Sequence, residues 1–117
     1  MLKKNCTFET VSADGVLEFR LAGEIDHHSA VMVRTEMDAE IQKQKPRKTV
    51  LDLSGIEFMD SSGLGLIMGR YALTQRQGGT LTVRNPNARI VQILEMAGFG
   101  RVISIEMDER AKKEKRK

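Results

Sequence analysis

Two serines stand side by side in F-M-D-S-S-G-L-G, Phe58 to Gly65, and upstream an aspartate and two histidines stand together in G-E-I-D-H-H-S, residues 23–29. Hydroxyl, imidazole and carboxylate are the groups of a hydrolytic triad, in which the imidazole bonds the hydroxyl on one side and the carboxylate on the other. Sequence cannot supply that geometry for Asp26, His27 or His28 and a serine. The local pattern M-D-S-S-G is also not the strained G-x-S-x-G elbow, and nothing marks an oxyanion hole, so hydrolysis is a weak reading. Gly63, Gly65 and Gly69 form G-x-G-x-x-x-G, one residue off the dinucleotide fingerprint, and no P-loop lysine follows. These glycines are expected to let a helix lie close to a sheet. Asp26-His27-His28 makes a poor metal site, because adjacent side chains point apart and no third cluster completes a coordination shell.

A serine at a helix start accepts a hydrogen bond from an unpaired backbone N–H, and losing such a cap costs typically about 1 kcal/mol. Capping accounts for one of the two serines. It leaves the other, beside Asp60 and the uncluttered Gly63, as a hydroxyl that another protein's active site could reach.

The elements that must position these residues are legible as periodicities. Cys6 to Val11 and Val16 to Ala22 are short strand-like runs around Asp14-Gly15, a dipeptide suited to a tight hairpin. Ala30, Val33, Met37 and Ile41 recur at helical spacing within 29–44, with Pro46 as a stop. A buried strand follows at 48–53. Leu64, Ile67, Met68, Tyr71 and Ala72 mark one face of a second helix, ended by Gly78-Gly79. T-L-T-V-R, 80–84, is another strand. Asn85-Pro86-Asn87 caps a helix over 88–97 with Ile90, Val91, Ile93, Leu94 and Ala97 inward, and Val102, Ile103 and Ile105 give a last strand. The order is β-β-α-β-α-β-α-β, an α/β domain with a mostly parallel central sheet of four to five strands and helices packed on it. Ligands and partners of such sheets meet the loops at the carboxyl ends of the strands. If the second and third strands are neighbours, Asp26 and Ser61 come together.

The chain has 117 residues, enough for one domain that buries roughly two-thirds of its unfolded surface. The single cysteine, Cys6, has no internal disulfide partner, no signal-peptide pattern opens the chain, and no apolar run approaches the roughly 20 residues that span a bilayer. A cytoplasmic protein without membrane contact is expected. The formal charge is +3, and from Asp108 to Lys117 six basic residues face three acidic ones, so residues 1–107 sum to zero. The domain is thus 1–107, and 108–117 is a basic tail read as a solvated terminus. With no aromatic interleaving for base stacking, direct nucleic-acid binding is not expected.

G-E-I-D-H-H-S-A (23–30), L-D-L-S-G-I-E-F-M-D-S-S-G-L-G (51–65), I-M-G-R-Y (67–71), G-G-T-L-T-V (78–83) and I-L-E-M-A-G-F (93–99) resemble, in order and spacing, the bacterial anti-sigma factor antagonists, whose fold is the STAS domain. The likeness runs from about residue 5 to 107, and E-I-D-H-H with G-R-Y leans toward the sporulation subgroup. The basic tail is not part of the pattern. The resemblance implies a phosphorylation switch with Ser61 as phosphoacceptor. The unphosphorylated protein, a monomer when free, binds an anti-sigma factor that is also a serine kinase and displaces the sigma factor; phosphorylation releases it and a PP2C-type phosphatase restores it. ATP and magnesium belong to the kinase, so the chain is not an enzyme, has no catalytic residue and holds no cofactor or metal. The same mapping makes Asp26, His27, Asp60, Ser62, Gly63 and Leu64 the partner-binding residues, with Glu24 and Arg70 beside them. Asp26 either holds the Ser61 loop or faces a basic group of the kinase, and Ser62 is either a contact or a helix cap. A stress-response sigma pathway is the alternative; a small serine hydrolase or nucleotide-binding protein is the remote one.

A phosphoserine brings about −1.5 to −2 charges at pH 7, which a helix N-terminus tolerates. The penalty falls on a complex that must bury this dianion beside Asp60. A loss of about 3 kcal/mol weakens binding roughly a hundredfold, enough to reverse a competition between partners.

Overall fold

A computed structural model describes residues 5–108, so the expected tail lies outside the described residues beyond Asp108. The elements are β1 (Cys6–Ala13), β2 (Val16–Ile25), α1 (His27–Gln44), β3 (Lys48–Met59), α2 (Ser61–Arg76), β4 (Thr80–Arg84), α3 (Ala88–Met96), a 3-10 turn (Phe99–Arg101) and β5 (Ser104–Glu106). The order is the one the periodicities predict. The sheet has five strands in sequence order, antiparallel between β1 and β2 and parallel thereafter. Because strands are added in one direction only, every right-handed crossover lays its helix on the same face. Asp14 and Gly15 both take positive φ, 54° and 79°, the geometry that a two-residue hairpin turn of matching twist needs.

Two neighbouring rows across the sheet display the period of two. Phe19, Leu51, Val83 and Ile105 are paired strand to strand and belong to the core or pack against it beneath the helices. One residue further along, Glu9, Arg20, Asp52, Arg84 and Glu106 are paired across all five strands, alternating in sign on the side that carries none of the described helices. Glu18 ties this face together, 2.7 Å from Arg20 and 3.3 Å from Arg84, and Arg84 reaches Glu106 at 3.4 Å.

Three expectations need correction. β3 runs on to Met59 rather than ending at residue 53, because Gly55, Ile56, Phe58 and Met59 keep pairing with β2 after β4 has ended opposite Asp52. Its polar S-G-x-E composition reads as loop, yet that stretch lifts the Asp60–Ser61 junction clear of β4. The inward face of α2 is also rotated from the expected one: Gly63, Leu66, Ile67, Arg70, Leu73 and Thr74 are buried, while Leu64 and Tyr71 are half-buried and Met68 and Ala72 are exposed. The cause is Arg70, a buried guanidinium that hydropathy assigns to solvent. In α3 only Ile90 and Leu94 are buried, Val91 and Ile93 are half-buried and Ala97 is exposed, so the helix meets the core with a narrow stripe.

Candidate functional site

Ile25 and Met59 are paired in register at the carboxyl ends of β2 and β3. The next residue in each strand is an aspartate, and each aspartate caps the helix that follows: Asp26 for α1 and Asp60 for α2. Two helix N-termini therefore open side by side at one edge of the sheet, each with its unpaired N–H groups and positive dipole end. The two junctions are joined through backbone, Asp60 N–H donating to the carbonyl of Ile25 at 3.1 Å.

Asp26 is fully engaged within its own neighbourhood. Its Oδ1 accepts from Ser29 N–H at 2.8 Å and from the Ser29 hydroxyl at 2.9 Å, and its Oδ2 accepts from Asn5 Nδ2 at 2.8 Å. Ser29 Oγ in turn accepts from the Asp26 backbone N–H at 3.0 Å, closing a capping box. These bonds, the Ser29 backbone N–H foremost, hold the carboxyl at a pKa of about 2. Neither oxygen bonds Ser61, so the hold on the Ser61 loop comes from Ile25 and not from Asp26. Asn5 also accepts from Glu24 N–H at 2.8 Å, and this close passage requires Gly23, at φ +107°, because a Cβ there would strike the Asn5 carbonyl.

At the second junction Asp60 Oδ1 accepts from Ser62 N–H at 2.8 Å and the Asp60 carbonyl accepts from Gly63 N–H at 3.0 Å. The cap of α2 is thus Asp60. The capping role open to Ser62 is not the one it has, because the helix begins at Ser61, ahead of its apolar pattern, and Ser62 already lies inside the first turn. Ser61 is the first helical residue, exposed, and its hydroxyl makes no hydrogen bond among the described residues. No imidazole bonds it and the Asp26 carboxylate is committed elsewhere, so the triad geometry is not assembled. Among the described residues no three His, Cys, Asp or Glu side chains gather in a way that could hold a metal ion.

The remaining site residues divide by exposure. Glu24, His27 and His28 are exposed, Leu64 is half-buried against the core, and Gly63 is buried. A Cβ on Gly63 would collide with the Met59 side chain, so this glycine does let α2 lie close to the sheet. Gly65 and Gly69 do not, since a Cβ at either position would meet nothing within 4 Å. Arg70, considered as a surface residue, is 5% exposed: its Nε lies 2.7 Å from Asp38 Oδ1 in an ion contact, and its Nη1 donates to the Leu66 carbonyl at 3.3 Å. It bolts α2 to α1. Burial lowers its pKa, the Asp38 charge opposes that shift, and the neighbouring Arg34 adds to it.

Asn5, Ser29, Arg34 and Asp38 were not singled out by the sequence. Ser29 carried a usable signal, since an N-cap aspartate followed three residues later by a polar side chain is a capping-box spacing. Asn5 acts from the far side of a hairpin, and Asp38 is recognisable only once Arg70 is known to be inside. Cys6, close to the same junction, is buried, and its thiol is pushed up to about 11 by that burial with help from the Asp26 charge.

Comparison with known proteins places this geometry. The STAS domain pattern matches residues 7–111. An anti-sigma F factor antagonist of Paenibacillus polymyxa is 43% identical over 101 residues, which cover 86% of each chain. The anti-sigma factor antagonist SpoIIAA in its unphosphorylated form superposes with a TM-score of 0.75 at 25% identity, covering 94% of this chain and 96% of that one. The phosphorylated form of the Bacillus cell fate determinant SpoIIAA has the same fold, with a TM-score of 0.69 at 23% identity over 95% of this chain and all of that one. With a five-stranded sheet, three helices on one face and an aspartate-serine junction at its carboxyl edge, the chain belongs to the STAS domain family, among the anti-sigma factor antagonists.

Proposed function

We propose that this chain is a phosphorylation-switched antagonist of an anti-sigma factor. In its unmodified form it binds an anti-sigma factor that is also a serine kinase, so that a sigma factor is released. The kinase, which carries the ATP and magnesium, transfers a phosphoryl group to Ser61, and the modified protein lets go until a PP2C-type phosphatase removes the group. The Paenibacillus relative favours a sporulation sigma factor as the one controlled. Catalysis belongs to the kinase and the phosphatase; this chain is a binding protein and a substrate.

The observation that carries this reading is the state of Ser61: an exposed hydroxyl, free of hydrogen bonds among the described residues, on the first turn of a helix whose capping is already done by Asp60. Such a group can be modified without unfolding anything, because the added charge sits at the positive end of α2. Two glycines on the same helix, Gly65 exposed and Gly69 half-buried, support a partner surface. Gly65 and Gly69 each reduce helix stability by roughly 1 kcal/mol relative to alanine, and no packing among the described residues requires them. The test is incubation with the anti-sigma F factor of Paenibacillus polymyxa and Mg-ATP, followed by intact mass. Addition of one phosphoryl group to wild type but not to Ser61→Ala is expected; equal modification of Ser61→Ala would overturn the assignment.

A further inference from the structure

A cleft of about 230 Å³ opens between α1 and α2, one residue along from Ser61. His27, Val31 and Arg34 line it from α1, and Ser62, Gly65 and Leu66 from α2. Arg20 and Arg84 are paired with Glu18 and Arg70 with Asp38, whereas Arg34, in the wall of this cleft, makes no ion pair among the described residues. It also lies near enough to Arg70 to act on it as a like charge. The absence of a Cβ at Gly65 keeps the α2 wall low, and the rim carries Val31, an apolar side chain left 45% exposed.

We propose that this cleft receives an acidic side chain of the anti-sigma factor, its carboxylate meeting Arg34, His27 and the Ser62 hydroxyl while its methylene stem covers Val31. The proposal rests on the anti-sigma factor reading given above and adds the chemistry of the contact. Size supports it, because 230 Å³ is below the range of pockets that enclose drug-sized ligands and suits a single side chain. Charge supports it as well. An unpaired guanidinium in a half-enclosed cleft is a strong site for a carboxylate, which it can grip in bidentate fashion. The arrangement also gives the switch a local cause: a phosphoryl group on Ser61 places about −1.5 to −2 charges next to the cleft, where they compete for the same guanidinium and repel the incoming carboxylate.

The test measures the dissociation constant of the complex with the anti-sigma F factor of Paenibacillus polymyxa for wild type, Arg34→Gln and Arg34→Glu. Arg34 is exposed and unpaired, so both variants should keep the wild-type circular dichroism. Weakening of about tenfold for Gln and about a hundredfold for Glu is expected, with Arg34→Glu rescued when one acidic residue of the factor is changed to lysine. Binding of Arg34→Glu within about twofold of wild type would overturn the cleft assignment while leaving the functional reading intact. So would a loss that no acidic-to-lysine change on the factor restores. Wild type that fails to bind the factor at all would overturn both.

Discussion

The backbone N–H of Asp60 donates to the carbonyl of Ile25, so the residue that caps α2 is fastened to the strand whose next residue caps α1. The two helix N-termini are thereby joined through backbone. Ser61 is presented there by the backbone bond and by the Asp60 cap, neither of which uses its hydroxyl.

The glycines of α2 should respond to alanine with opposite signs. Gly69→Ala meets open space and removes a flexible residue from a helix, so it should raise stability by about 0.5–1 kcal/mol. Gly63→Ala must displace the buried Met59 side chain and should lower stability by about 1 kcal/mol after the same helix gain is counted. Chemical denaturation of the two variants beside wild type reads both signs; a common direction would remove the distinction between the packed and the open glycine.

Arg70 and Asp38 should be coupled. Either Arg70→Met or Asp38→Leu alone leaves a charge without its partner between α1 and α2 and should lower stability by roughly 2–3 kcal/mol, a figure moderated by the partial exposure of Asp38. The double variant should lose far less than the sum of the two. Additive losses in the cycle would mean that the ion contact contributes nothing of its own.

Asp26 should make stability depend on acidity in a defined window. Its folded pKa of about 2 lies below the ordinary 3.8, so its contribution is fully present above about 3.8 and is lost as pH falls toward 2. Asp26→Asn should accordingly be less stable than wild type at pH 7, with the gap closing between about pH 4 and pH 2. Denaturation midpoints across that range check it, and a gap that stays constant with pH would remove Asp26 as the titrating group.

Ser61→Asp should leave the far-ultraviolet circular dichroism unchanged, because the first turn of α2 accepts negative charge. Affinity for the anti-sigma F factor should nevertheless drop by about ten- to a hundredfold, less than a true phosphoryl group achieves since only one charge is added. Calorimetric titration separates the two effects, and undiminished affinity in a folded variant would count against an electrostatic switch.

The architecture was legible because each element buries one face. The α1 positions Ala30, Val33, Met37 and Ile41 are all in the core as their spacing requires, Asp14-Gly15 forms the hairpin turn, α1 ends just before Pro46 and Asn87 caps α3. Legibility failed where polarity and position part company. Arg70 is inside because Asp38 is there to meet it, and Met68 is outside because α2 turns Arg70 inward; neither fact is contained in the hydropathy of α2 alone. The site divides in the same way. Ser61 stood out from its local motif, whereas the restraint on Asp26 comes from Asn5, a residue distant in sequence that only the hairpin brings alongside. The glycines required contacts to sort, since Gly63, Gly65 and Gly69 look alike until one knows what a side chain would touch.

The row Glu9, Arg20, Asp52, Arg84 and Glu106 has a consequence for how this molecule behaves in company. A sheet face that carries none of the described helices is ordinarily a sticky object, but here another protein would meet charges already paired with one another, Arg20 and Arg84 with Glu18 and Arg84 with Glu106. That side is mute. The exposed hydroxyl of Ser61 lies instead at the rim where α1 and α2 begin. Replacing the buried Asp52, which accepts from the Ser54 N–H and hydroxyl, by leucine would break the row at its centre and leave Arg20 and Arg84 on either side of an apolar residue.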